Sequence, residues 1–249
     1  MRVDVSIPRG WEELSSEQLL FVVKLFKENL SRPQFLVYCF LEFSGWQVVK
    51  DRSKEFHYKY KGEVFSLNMG VFKGLCEELS WLITERGACT NLPKIGIARG
   101  CDAELDDVTL EQYLFADAYF HRFNQTKDPK YLAILTATLY RPRFFGFNSS
   151  KIVRHRYKYF LRRPLHLKVV LLWYAGTKII LKEKFPFVFR AIEGVSATHF
   201  DAEAIYRNTL SALNGGRVVD NDKILQVPCT FALKELDVLN ERAAKLKNK

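Results

Sequence analysis

Helix starts are written into this chain again and again. In "SSEQLLFVVKLF" Ser15 and Gln18 stand three residues apart, ahead of Leu19, Val22, Val23 and Phe26. That is a capping box, in which the serine hydroxyl accepts the amide of the third helical residue and the glutamine side chain returns to the serine amide. Thr109 with Gln112 repeats it, and Val108 with Tyr113 has the spacing of a hydrophobic staple. Ser31 followed by Pro33, Asn68, and Asp128 followed by Pro129 supply three more starts. Apolar residues then recur at helical spacing, as in Phe72, Leu75, Leu79 and Leu82, in Tyr113, Ala116, Phe120 and Phe123, and in Leu132, Leu135 and Leu139. Gly45 and Asn214-Gly215-Gly216 read as helix stops. So many capped segments in 249 residues predict a mainly α fold.

One stretch breaks the period. In "FHYKYKGEVFSLN" polar and aromatic residues alternate and Gly62 supplies a turn. This predicts a small antiparallel β-hairpin or meander near residues 46–68, with strands confined to that region and to residues 1–8. The segment "ERGACTNLPKIGIARGCDAELDD" has no period and reads as a long loop. The expected organisation is therefore an N-terminal part, 1–85, a loop, 86–108, and a helical domain, 109–249.

Pro142 sets the end of the helix that begins at Asp128, because the residue before a proline is pushed out of the helical region. It leaves the ending Tyr140, Arg141, Arg143, Phe144 and Phe145, basic and aromatic together. A basic helix is expected from Ser149 or Ser150 to Arg163; on one reading it buries Ile152, Val153, Tyr159 and Phe160 and leaves its cations in water. Its cations include Arg154, Arg156, Lys158, Arg162 and Arg163. Residues 165–182 form an apolar helix, but Lys168 and Lys178 interrupt it. A bilayer span needs roughly 20 mostly apolar residues, so a buried helix is expected and not a membrane segment. A last helix is expected over about 228–247.

The charge is segregated. The net value is +10, yet residues 141–190 hold thirteen Lys and Arg against one acid, Glu183. Residues 101–117 hold six acids (Asp102, Glu104, Asp106, Asp107, Glu111, Asp117) and no Lys or Arg. A basic window of this kind attracts nucleic acid, an anionic surface or an acidic protein, and the acidic window beside it makes self-association possible. For the basic helix three readings stand: nucleic-acid binding, protein docking, and a solvated face over a buried one.

No nucleotide-binding or hydrolase motif is present, neither a Walker loop nor Gly-x-Gly-x-x-Gly nor Gly-x-Ser-x-Gly. The five histidines are scattered and none has a second ligand at metal spacing. Asp102, Glu104, Asp106 and Asp107 lack the glycine and terminal glutamate of a calcium loop. No catalytic residue, cofactor or metal is expected. The five cysteines include no Cys-x-x-Cys pair and no secretion signal precedes them, so free thiols are expected.

Three segments carry a resemblance: "IPRGWEELSSEQLLFVVKLF", "LDDVTLEQYLFADAYFHRFNQTKDPKYLAILTATLYRP" and "VPCTFALKELDVLNERA". Together they resemble morphogenesis proteins of tailed bacteriophages and prophages of Bacteroides-type bacteria, and their nearest functional comparison is the tail assembly chaperones. The resemblance implies a non-enzymatic protein that binds tail proteins, such as the tape-measure protein, in the host cytoplasm during assembly. A virion component of the neck, connector or tail is the alternative, and a nucleic-acid-binding protein using residues 141–190 is the third. The residues expected to meet a partner are Tyr140, Arg141, Arg143, Phe144, Phe145, Arg154, Arg156, Lys158, Arg162 and Arg163.

Overall fold

A computed structural model describes residues 6–49, 56–83, 90–142, 146–190, 202–215 and 221–247. The fold is mainly α with a small antiparallel sheet in the N-terminal third. It divides into two compact units, Met1–Thr90 and Asn91–Lys249.

The first unit contains α1 (Ser16–Leu25), α2 (Arg32–Ser44), the strands β1 (Gln47–Val49), β2 (Phe56–Tyr60) and β3 (Glu63–Leu67), and α3 (Met69–Glu77). The capping box at Ser15 is formed, and Ser31 makes a second one with Gln34. Gly45 ends α2 at φ +69°, in the left-handed region that favours glycine. The sheet runs β1-β2-β3. Tyr60 pairs with Glu63 across Lys61 (φ 48°) and Gly62 (φ 91°), two positive values as a tight two-residue hairpin turn requires. The pleat alternates faces, so Tyr58 and its partner Phe65 turn to one side with Trp46. There they meet the helices: Phe40 of α2 stands edge-on to Trp46 at 5.2 Å, and Phe72 of α3 stacks on Tyr58 at 4.8 Å. An aromatic core holds this unit together.

The second unit is built around α5 (Pro129–Leu139), whose residues 132–139 are all buried. Such a helix has no solvated side, and its two threonines must satisfy their hydroxyls locally. Thr136 and Thr138 donate to the carbonyls of Leu132 and Ile134 at 2.8 and 2.9 Å. Around it lie α4 (Leu110–Thr126), α6 (Ser149–Lys151), a π turn (Ile152–Arg156), α7 (Tyr157–Leu161) and α8 (Pro164–Lys184). Then follow α9 (Ala202–Asn214), α10 (Asn221–Leu225) and α11 (Cys229–Lys247). The start of α11 is pinned to the start of α4, with Leu110 donating to Val227 and Cys229 to Val108, both at 2.8 Å.

By length and composition α8 is apolar enough to cross a membrane. Its Leu167, Val170, Trp173, Tyr174 and Leu181 are nonetheless buried within the unit. The indole N–H of Trp173 donates to the Ala103 carbonyl at 3.1 Å.

Three sequence expectations need correction. Strands are not confined to residues 1–8 and 46–68: β4 (Lys94–Ile95), β5 (Ala98–Gly100) and β6 (Tyr140–Arg141) form a second three-stranded sheet. Residues 6–8 form no strand. Of the segment 86–108 the described part, 90–108, is not simply a loop: it holds β4 and β5, and its Leu92, Ile95, Ala98 and Leu105 are buried in the second unit. Gly100 makes this packing possible, since a Cβ there would press on the Leu92 carbonyl and the Tyr140 ring. Four cysteines, Cys39, Cys76, Cys101 and Cys229, are buried free thiols; Cys89 lies outside the described residues.

Candidate functional site

The partner-binding residues read from sequence fall into three groups. Tyr140 is not a surface residue. It follows the end of α5 as part of β6, is 1% exposed, and its hydroxyl donates to the Leu92 carbonyl at 2.9 Å. Pairing with β5 turns it inward, a long-range contact with no local signature. Arg141 is half-buried opposite Arg99 in that sheet. Arg143, Phe144 and Phe145 lie outside the described residues.

The remaining five stand on the basic segment, which is not one continuous α-helix. The π turn at Ile152–Arg156 sits between α6 and α7. Ile152 and Phe160 are buried as expected, and Tyr159 is half-buried, but Val153 is 37% exposed. Val153 follows buried Ile152 by one residue, and one helical residue turns about 100°, which puts it at the edge of the buried face. Arg156 is half-buried and donates to the Gly146 carbonyl at 3.2 Å. Arg163 caps the segment from within: it donates to the Tyr159 carbonyl at 2.6 Å, and its guanidinium lies 3.8 Å from the Tyr159 ring centre. Tyr159 in turn accepts from the Ile97 amide and donates to the Ile95 carbonyl at the tip of the β4–β5 hairpin. Gly96 occupies that tip at φ +60°, where any Cβ would collide with the Tyr159 hydroxyl. Arg154, Lys158 and Arg162 are exposed, and none of them is paired with a carboxylate among the described residues.

Sequence reading missed an internal constellation. Tyr113, Asp117 and His121 follow one another at four-residue steps on α4, and Tyr174 and Lys178 do the same on α8. The two rows meet. Lys178 lies 2.8 Å from Asp117, with the two side chains 11% and 14% exposed. Lys178 also donates to the Tyr113 hydroxyl at 3.1 Å, and its ammonium stands 4.7 Å from the Phe189 ring centre. The Tyr174 hydroxyl donates to Asp117 at 3.3 Å, and His121 approaches the other carboxylate oxygen at 3.5 Å. Burial alone would raise the Asp117 carboxyl; Lys178, aided by His121, holds it below its ordinary value. Burial pushes the Tyr113 and Tyr174 phenols well up, and the neighbouring Asp117 adds to this. A half-open cleft of about 450 Å³ adjoins the cluster, with Asn208 and Asn240 among its lining. Asp117 belongs to the acidic window and Lys178 to the basic one, so part of the segregated charge is paired inside the chain. The cluster works as a clasp between α4 and α8.

The first unit carries a different feature. Leu36, Val37 and Leu41 of α2, Val48 of β1, and Met69 and Phe72 of α3 line an apolar groove of about 380 Å³. Among the described residues its charged lining is Lys73 and Glu77, about one turn apart on α3, and Glu77 meets Arg32 at 3.1 Å. Val48 and Met69 are about half exposed, so the groove opens to solvent. Hydrophobic periodicity marks α2 and α3 in the sequence, but nothing in it shows that they leave a gap between them.

Among the described residues no three His, Cys, Asp or Glu side chains are grouped to hold a metal ion. No protein-family profile, curated protein or solved structure matches the chain.

Proposed function

We propose that this protein is a non-enzymatic morphogenesis factor of tailed bacteriophages, an assembly chaperone that shields apolar segments of a helical tail protein such as the tape-measure protein. The observation that carries the reading is the groove of the first unit. Its walls are aliphatic and aromatic, its edge bears charges of both signs, and grooves of this kind receive the apolar face of an amphipathic helix. The resemblance of the three sequence segments to phage morphogenesis proteins supplies the biological setting.

The test has two parts. Co-expressed tail protein should be retained by the wild-type chain and lost by the Val48→Asp, Met69→Asp double variant, while circular dichroism of the variant stays unchanged. Both residues are on the open side of the groove, so their exchange should alter folding stability by no more than about 0.5 kcal/mol. Mass spectrometry of purified particles should find the chain absent, because a chaperone leaves when assembly ends. Its presence there in stoichiometric amount would instead make it a virion component.

A further inference from the structure

The geometry points to a second docking surface, on the basic segment of the second unit, that takes an acidic amphipathic helix. The inference rests on the reading of a helical partner but uses none of the groove residues.

Arg154 in the π turn, Lys158 in α7 and Arg162 at its C-cap stand four residues apart, and all three are exposed. Beside them runs a second line at the same interval. Val153 and Leu161 are 37% and 38% exposed, and half-buried Tyr157 lies between them. The face is therefore two parallel rows, one cationic and one apolar. A helix with carboxylates at every fourth position repeats its charges at the same interval, and an adjoining leucine row would cover Val153 and Leu161. That complementarity in charge and in apolar surface selects the occupant. A nucleic-acid backbone matches only the cationic row and would leave the apolar row in water. The face is also well supported. Arg163 and Tyr159 stack behind it, and Tyr159 is tied to both sides of the β4–β5 turn. The cations themselves carry no carboxylate partner to displace among the described residues.

The probe is a labelled synthetic helical peptide with glutamates in one row and leucines in the adjacent row, titrated with the full chain and followed by fluorescence anisotropy. Binding is expected and should weaken as salt rises, because exposed charges are screened. Loss of three exposed ion pairs predicts roughly a fivefold loss of affinity for the Arg154→Glu, Lys158→Glu, Arg162→Glu chain. A Glu→Gln peptide should lose a similar amount. Val153→Ser with Leu161→Ser should also weaken binding. The groove variant Val48→Asp, Met69→Asp should bind the peptide as wild type does, which separates this surface from the chaperone reading. If the triple reversal disturbs the helix, Lys158→Gln alone should still lower affinity measurably. Absence of peptide binding overturns the proposal. So does a DNA duplex that binds more tightly than the peptide and ignores Val153→Ser with Leu161→Ser, an outcome that would make this a phosphate-binding face. Peptide binding lost through the groove variant would overturn it as well.

Discussion

Replacing Asp117 with alanine should destabilise the second unit by about 3–5 kcal/mol, the cost of leaving a buried charge without its partner. The abandoned charge is Lys178, held between the Tyr113 and Phe189 rings with little access to water. Urea denaturation measures the loss. The double variant Asp117→Leu, Lys178→Met should recover most of it, because an apolar pair of similar volume carries no desolvation cost. A loss below about 1 kcal/mol in the single variant would mean that the pair behaves as a solvated surface pair. The same clasp gives a pH signature. The folded-state carboxyl of Asp117 is held below its ordinary value of 3.8. Its contribution is therefore complete above the ordinary carboxylate range and is lost as pH falls through the lowered folded value. Wild-type stability should drop over that acidic window, and the double variant should show a shallower drop.

Leu135→Ala should cost roughly 2–5 kcal/mol, the range for a cavity in a packed core. Leu135 is fully buried in a helix that has no solvated side, so its neighbours can collapse only partly into the space. The same substitution at exposed Arg154 should fall within about 0.5 kcal/mol. Thermal or chemical denaturation of the two variants side by side tests the contrast. Equal effects would mean that α5 is not the centre of its unit.

The local instructions were legible in the sequence because each acts within a few residues. Ser15 with Gln18, Thr109 with Gln112, and Asp128 with Pro129 start helices where their spacing says they should. Lys61-Gly62 turns the hairpin for the same reason. What was not legible depends on residues far apart. Gly100 pairs with Tyr140 across some forty positions, and that pairing alone converts an apparent helix terminus into a buried strand. Asp117 and Lys178 read as members of two opposed charge windows until α4 and α8 bring them into contact. The basic helix lies between these cases. Its buried Ile152 and Phe160 follow from α-helical phase, whereas the π turn at Ile152–Arg156 is announced by no residue type.

That π turn also bears on how the segment tolerates change of length. Exposed chain usually accepts insertions and deletions readily. Here four α-helical residues sweep nearly the same angle as the five of the π turn, so a single-residue deletion within 152–156 would regularise the winding and leave the flanking segments nearly in phase. Phe160 would stay in the core, and Lys158 and Arg162 would stay exposed. The segment is consequently permissive both to the identity of its outward side chains and to the loss of one residue. Divergence there should include single-residue gaps within 152–156 as well as substitutions.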